Sequence, residues 1–360
     1  MKITPINRMG SLGVYVDDIN MDHMTEEEWK ELGKLFVKEM VVVCRNINID
    51  KEQFYDWIPK WGPVSSFHLL HLKQKYGDAV ITKDPATWGI LDADDRFYFE
   101  SKINIQERIG PGKHLNRIYG GKTNDGKSLG VFDSGDVFWH SNESALLTFA
   151  PAVALLGWED MGQSATGFTQ TIDVYEGVPE SMRKELDEMV LIHEFRIGRL
   201  SDNEAKDPSL AAITRMNFCP EQGLETPFVC TAPNGRKGLH YSINSRARIK
   251  GMSEEESNNL FDRLDKLIFN ENMVFDHEYI DTRRDMLFFD NSVTLHRRVG
   301  HQPTRLGFRT QFTLCDVVDQ PWLPWQHMPE YDREYRKDMK RLVEAFGGDL
   351  AARYPLPELI

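Results

Sequence analysis

The sequence predicts a mainly β protein, a sandwich or barrel with a few helices outside it. Three observations carry this. Short apolar runs separated by turn residues recur along the chain, amphipathic helical patterns are few, and strands and helices never alternate in the βαβ rhythm of a parallel sheet. The chain has 360 residues. β-rich folds with long insertions reach that length as one domain, so a single domain over residues 1–360 is expected. Hydrophobic residues make up 41% of the chain, enough for a sizeable core.

The elements follow in order. Thr25-Glu26-Glu27-Glu28 is a capping box, and Trp29, Leu32, Leu35, Phe36 and Met40 continue it as one helical stripe. Val41-Val42-Val43-Cys44 reads as a short buried strand, and residues 50–62 as a second short helix. Residues 63–130 are rich in Gly, Asp and Lys, which predicts a loop-rich insertion over a site. Strand-like runs alternate with turns over 131–175. Glu180–Val190 is helical in pattern, and 200–225 is polar and loop-like. Ser253-Glu254-Glu255-Glu256 is a second capping box, opening a helix through Leu260, Leu264 and Leu267. Met286–His296 and Leu306–Cys315 read as two closing strands, and Asp332–Phe346 as a charged C-terminal helix.

Charge excludes some functions. The net charge is −13, whereas a nucleic-acid binder needs a basic face to displace counterions. The same balance argues against an anionic membrane surface. Four cysteines, Cys44, Cys219, Cys230 and Cys315, stand far apart with no CxxC pair, so neither a zinc ribbon nor a redox motif is expected. The opening stretch MKITPINRMGSLGVYV holds no apolar signal core, and no apolar run approaches the ~18 residues of a membrane span. A cytoplasmic protein with reduced, mostly buried cysteines is expected. No oligomeric state is assigned.

Two segments carry chemistry. One is Phe138-Trp139-His140-Ser141-Asn142-Glu143-Ser144, and the other is the run from Met286 to His296. Strand residues i and i+2 share a face, so an H-x-carboxylate pair at a strand end sends two ligands to one metal. A distant histidine on a neighbouring strand supplies the third ligand of a two-His-one-carboxylate site. A single strand histidine is more often packed than ligating; the pair, His140 and His296, changes the balance. Arg305 and Arg309 follow, four apart on one face of a strand with Phe308, Phe312 and Leu314 interleaved. A buried guanidinium fork binds a carboxylate bidentately, as a metal-chelated dicarboxylate needs at its far end. His68, His71 and His114 are read as surface or pocket residues, and Trp88, Trp158 and Trp322 as core.

With these motifs the chain resembles the taurine dioxygenase and 2,4-dichlorophenoxyacetate dioxygenase family of iron(II)/2-oxoglutarate enzymes. Leu12–Val16, Glu39–Arg45, Trp139-His140, Gly251–Ser257, Asp290-Asn291 and His296 are similar to family segments, as is Thr166 placed nine residues before Tyr175. The resemblance implies a double-stranded β-helix flanked by helices, iron(II) and 2-oxoglutarate as cofactor and co-substrate, molecular oxygen, and a small-molecule substrate. It implies His140 and His296 as metal ligands. Arg305, with Thr166, would hold the distal carboxylate of 2-oxoglutarate, and Arg309 would face the substrate or the metal-bound end.

One position departs from the family. Asn142, followed by Glu143, stands where the family has aspartate. Asn142 is then a weak neutral ligand, or Glu143 replaces it, or the position is left to halide, water or a substrate group while Glu143 binds a cationic group. The implied reaction is hydroxylation of an unactivated carbon of a small polar molecule, with a zwitterion among the candidates. Halogenation on the same scaffold, or binding of 2-oxoglutarate without turnover, are the alternatives.

Overall fold

A computed structural model of the chain describes residues 1–62, 64, 89, 106–110, 113–126, 129–130, 135–144, 150–194, 223–300, 303–312, 314 and 317–318. The N-terminal part supplies β1 (Lys2–Pro5), β2 (Val14–Asp17), α1 (Glu26–Glu39), β3 (Val41–Cys44) and α2 (Lys51–Trp57). After these come β4 (Gln106–Gly110), β5 (Lys113–Tyr119), β6 (Val137–His140), β7 (Ala152–Glu159) and β8 (Ala165–Gln170). Short helices α3 (Ile172–Gly177) and α4 (Glu180–Asp187) precede β9 (Val190–His193), β10 (Leu224–Pro227), β11 (Val229–Thr231), β12 (Lys237–Leu239) and β13 (Arg246–Ile249). Helix α5 (Glu254–Ile268) leads into β14 (Phe275–Glu278), β15 (Met286–Asp290), β16 (Thr294–Val299) and β17 (Leu306–Phe312).

Two sheets form the frame. The larger runs β1-β2-β3-β15-β7-β17-β5-β4 and the smaller β14-β8-β16-β6. Apart from the parallel pair β2–β3, the neighbours in both sheets are antiparallel. Val153, Leu155, Phe168, Phe275, Leu287 and Phe289 form one buried cluster between them, with the Phe168 and Phe289 rings 5.2 Å apart. This is the double-stranded β-helix. Period-two alternation explains it: central strands such as β7 and β15 give one face to the inter-sheet layer and the other to the core beneath α1.

Helix α1 covers the outside of the large sheet. Its capping box is formed, with Thr25 bonded to Glu28 N and Glu28 returning to Thr25 N. Trp29, Leu32 and Phe36 bury their stripe against Phe288, Phe308 and Phe312. Trp61 stacks on Trp29 at 4.5 Å. Gly33 permits this approach, since a Cβ there would lie 2.7 Å from Trp61 Nε1. Met40 is fully buried but caps the helix in the left-handed region, φ 63°, rather than extending it. On the outside of the small sheet, Val174, Leu186, Leu260, Leu264, Ile268 and Leu295 form a second core with α3, α4 and α5. The described cysteines, Cys44 and Cys230, are buried and free. No helix among the described residues is long and apolar enough to cross a membrane.

Several expectations are corrected. The insertion is not irregular throughout: β4 and β5 form a hairpin that extends the large sheet beyond β17. Residues 172–177 are helical rather than strand or turn, and Val190 opens a strand instead of closing α4. Leu267 is exposed, while Ile268 takes the buried place in α5. Met286–His296 is not one strand. The Asp290 carboxylate accepts hydrogen bonds from Ser292 N at 2.9 Å and Val293 N at 2.8 Å. That turn ends β15 in the large sheet and sends the chain into β16 of the small one. Residues 200–222, the proposed C-terminal helix Asp332–Phe346, His68, His71, Trp88, Trp322, Cys219 and Cys315 lie outside the described residues.

Candidate metal centre

The site lies where the chain crosses between sheets, at the end of β6 and beside β16. Register places His140 opposite His296. Their ring centroids are 4.0 Å apart with planes at 47°. Phe289, from β15 in the facing sheet, packs on the His296 ring at 4.6 Å. Both imidazoles are buried. Burial, with a smaller push from the Arg309 charge, lowers the His140 pKa to about 4. Burial, then His140, then Arg309, hold His296 well below its ordinary value. Two neutral rings therefore face each other at pH 7. His140 Nδ1 donates to the Phe138 carbonyl at 2.7 Å, which fixes the ring orientation, and the ring is also hydrogen-bonded to the Asn142 side chain.

Asn142 arrives by a different device from the one expected. β6 stops at His140, and Asn142 opens a turn over residues 142–144 instead of sitting two along the same strand. Its Oδ1 accepts from Arg309 Nη1 at 3.4 Å, a long contact. Asn142 Nδ2 and His296 Nδ1 are buried without a hydrogen-bond partner among the described residues. Unsatisfied buried polar atoms cost roughly 1–3 kcal/mol each, and groups that will meet a ligand account for such a cost. The donor set, two neutral imidazoles and an amide carbonyl, fits an iron(II) site in type, with a neutral group where a carboxylate is usual. Among the described residues, no third His, Cys, Asp or Glu groups with the pair as a metal cluster.

Glu143 follows in the left-handed region, φ 58°. Its charge acts on Arg309, whose pKa burial lowers. On β17, Phe308 and Phe312 belong to the helix-facing core, so alternation turns Gly307, Arg309 and Gln311 to the inter-sheet side. Arg305, just ahead of the strand, is fully buried. Thr166 is buried on β8, with its hydroxyl 2.9 Å from the Tyr279 hydroxyl. The structure thus brings His140 to His296, and Arg309 to both Asn142 and Glu143. Sequence reasoning missed Tyr279, and gave no role to Asn291 although the Asp290-Asn291 pair was visible. His114 lies on β5. Trp158 is partly buried against Phe308, as expected of a core residue.

Comparison with known proteins shows the family and the fold. The family described as "Taurine catabolism dioxygenase TauD, TfdA family" matches residues 3–311. Pentalenolactone F synthase of Streptomyces avermitilis is 24% identical over 257 residues, 67% of this chain and 82% of its own length. The crystal structure of AAD-2 in complex with Mn(II) and N-oxalylglycine is similar in fold, with a TM-score of 0.57 at 16% identity, covering 90% of this chain and 100% of that one. A putative α-ketoglutarate-dependent taurine dioxygenase from Burkholderia xenovorans gives a TM-score of 0.57 at 17% identity, covering 89% and 90% of the two chains.

Proposed function

The chain belongs to the taurine catabolism dioxygenase TauD, TfdA family, which makes it an iron(II)/2-oxoglutarate-dependent dioxygenase, and we propose that it hydroxylates an unactivated carbon of a small polar substrate. When bound, iron(II) and 2-oxoglutarate supply the activation of molecular oxygen, coupled to decarboxylation of the keto acid. The chain's own residues bind and orient. His140 and His296 hold the metal as neutral imidazoles, and the Asn142 carbonyl is the weak third ligand. Arg305, assisted by the Thr166 hydroxyl, clamps the distal carboxylate of 2-oxoglutarate. Arg309 and Glu143 offer one charge of each sign beside the metal position, which suits a zwitterionic substrate. The reading also keeps the protein in the cytoplasm, away from nucleic acid and membranes.

The observation that carries this proposal is the facing pair His140 and His296, 4.0 Å between ring centroids and both uncharged at pH 7. Its test is a set of anaerobic iron(II) titrations with saturating 2-oxoglutarate. Asn142→Asp should tighten binding by restoring a ligand charge, Asn142→Ala should weaken it, and Glu143→Gln should bind iron as the wild type does. A Glu143→Gln variant as weak as a histidine deletion would make Glu143 the ligand. Turnover assays should couple succinate release to a product that gains one oxygen atom. A chlorinated product, or no succinate with any candidate substrate, overturns the hydroxylase reading.

A further inference from the structure

Asn291 sits at the switch between sheets and is fully buried. Its side-chain amide makes four hydrogen bonds. Oδ1 accepts from Asn142 N at 2.8 Å and from Ser141 Oγ at 3.2 Å. Nδ2 donates to Asn142 O and to Ala150 O, both at 2.9 Å. Two donors and two acceptor positions are all that a primary amide has, so both donors and one acceptor position are fully used and the Ser141 hydroxyl, shared with the Asn291 carbonyl, reaches the other. The first and third of these bonds hold the N–H and C=O of one residue, Asn142. A side chain here does for Asn142 what a neighbouring strand does for a residue inside a sheet.

Asn291 is itself held in place. Its N–H donates to Pro151 O at 2.8 Å, and its carbonyl accepts from the Ser141 hydroxyl. The turn it belongs to is closed by the Asp290 carboxylate. One amide therefore ties the β15–β16 crossing to both ends of the β6–β7 connection, at residues 142 and 150.

Other groups grip the same turn at different points. Ser141 N donates to Ser242 Oγ at 2.9 Å. The Ser144 hydroxyl shares a 2.7 Å hydrogen bond with Ser245, which in turn meets His193 Nδ1 at 2.9 Å. None of these touches the backbone of residue 142. β6 has already ended, and Glu143 follows in a left-handed conformation that costs a non-glycine residue roughly 1 kcal/mol or more. Arg309 and the His140 ring bond the Asn142 side chain, and the position of its backbone is set from outside the local strand. We infer that Asn291 is a positioning residue for the metal centre, fixing the Asn142 backbone so that its amide meets the metal held by His140 and His296. This rests on the proposed role of Asn142 as the third ligand.

The test uses Co(II) as the metal probe, the full chain, and variants confirmed folded by thermal melting. Outer-shell partners of ligands typically govern about 10–100-fold in affinity. Asn291→Ala should weaken Co(II) binding about tenfold or more and give a visible Co(II) spectrum like that of Asn142→Ala. The double variant should bind no more weakly than Asn142→Ala alone, because residues acting through one another are not additive. Ser245→Ala, which loosens the turn at Ser144, should stay within about twofold of wild type. Wild-type affinity for Asn291→Ala beside a weakened Asn142→Ala overturns the positioning role alone, as do losses that multiply in the double variant. Wild-type affinity for Asn142→Ala overturns the ligand reading and this inference with it. Should Asn291→Ala fail to fold, hydrogen exchange of the wild-type apoprotein decides. The Asn142 N–H should be protected like a core strand amide, and exchange at an open-loop rate overturns the inference.

Discussion

Acid should destabilise the metal-free protein, and His240, which is not one of the proposed metal ligands, allows the effect to be measured. Its ring is fully buried, and Nδ1 donates to the Ser292 carbonyl at 3.2 Å. Burial lowers its pKa from 6.5 to about 4. The sign follows directly. A depressed folded pKa means that the unfolded chain takes up the proton first. The stability this ring contributes is therefore complete above pH 6.5 and is lost progressively as pH falls toward 4. Between pH 7.5 and 5 the linkage amounts to about 2 kcal/mol for this one side chain. His140 adds to the same loss with a pKa of about 4, and burial also holds His193 and His296 well below the ordinary value. His240→Gln keeps an amide able to donate to Ser292 and removes the titration. Urea denaturation in the presence of a chelator should then show a wild-type loss between pH 7.5 and 5 that exceeds the variant's by about 2 kcal/mol. Equal losses in the two proteins would refute the reasoning.

Asp290 titrates in the opposite sense. Burial raises its pKa to about 6, so it stabilises the fold at acid pH and loses that contribution as pH rises from 3.8 through 6. Asp290→Asn should accordingly gain stability relative to wild type on going from pH 5 to 7.5, as read by the same denaturation series. Arg305→Ala should weaken 2-oxoglutarate binding at least about thirtyfold, the loss expected when one side of a buried charge pair is removed; if Arg309→Ala does this and Arg305→Ala does not, the two arginines are exchanged in role. Tyr279→Phe should weaken the same binding by about two- to tenfold, the worth of one neutral hydrogen bond, by freeing the Thr166 hydroxyl; unchanged 2-oxoglutarate affinity by calorimetry would leave Tyr279 without that role.

Much of the fold was legible because local signals and burial agree. Thr25 and Ser253 each precede three glutamates, and both capping boxes form. The valine run at 41–44 is buried on every residue. The β4–β5 hairpin escaped notice because QERIG and KHLNRIY, at the edge of the large sheet, carry charged and polar side chains beside single apolar anchors such as Leu115. The turn inside Met286–His296 escaped for the converse reason. Its Asp290-Asn291-Ser292 is polar and turn-prone in sequence but buried like the strands it joins, and the apolar flanks on either side read through it as one strand. Of the residues that the structure brings together, His140, His296 and Arg309 could be picked out by residue type and spacing. What joins them could not. The contact of Arg309 with Asn142 spans 167 positions, and the hold of Asn291 on Asn142 spans 149. Neither distance has a sequence signature, and both exist only because the two sheets close on each other.

The central claim is that His140 and His296 ligate one iron(II). The most direct measurement is anaerobic iron(II) titration of His140→Ala, His296→Ala and His240→Gln. The account predicts that each of the first two loses more than about a hundredfold in affinity, beyond the usual effect of an outer-shell change. His240→Gln, equally buried but outside the pair, should bind iron within a few-fold of wild type. Affinity unchanged in both His140→Ala and His296→Ala would contradict the claim.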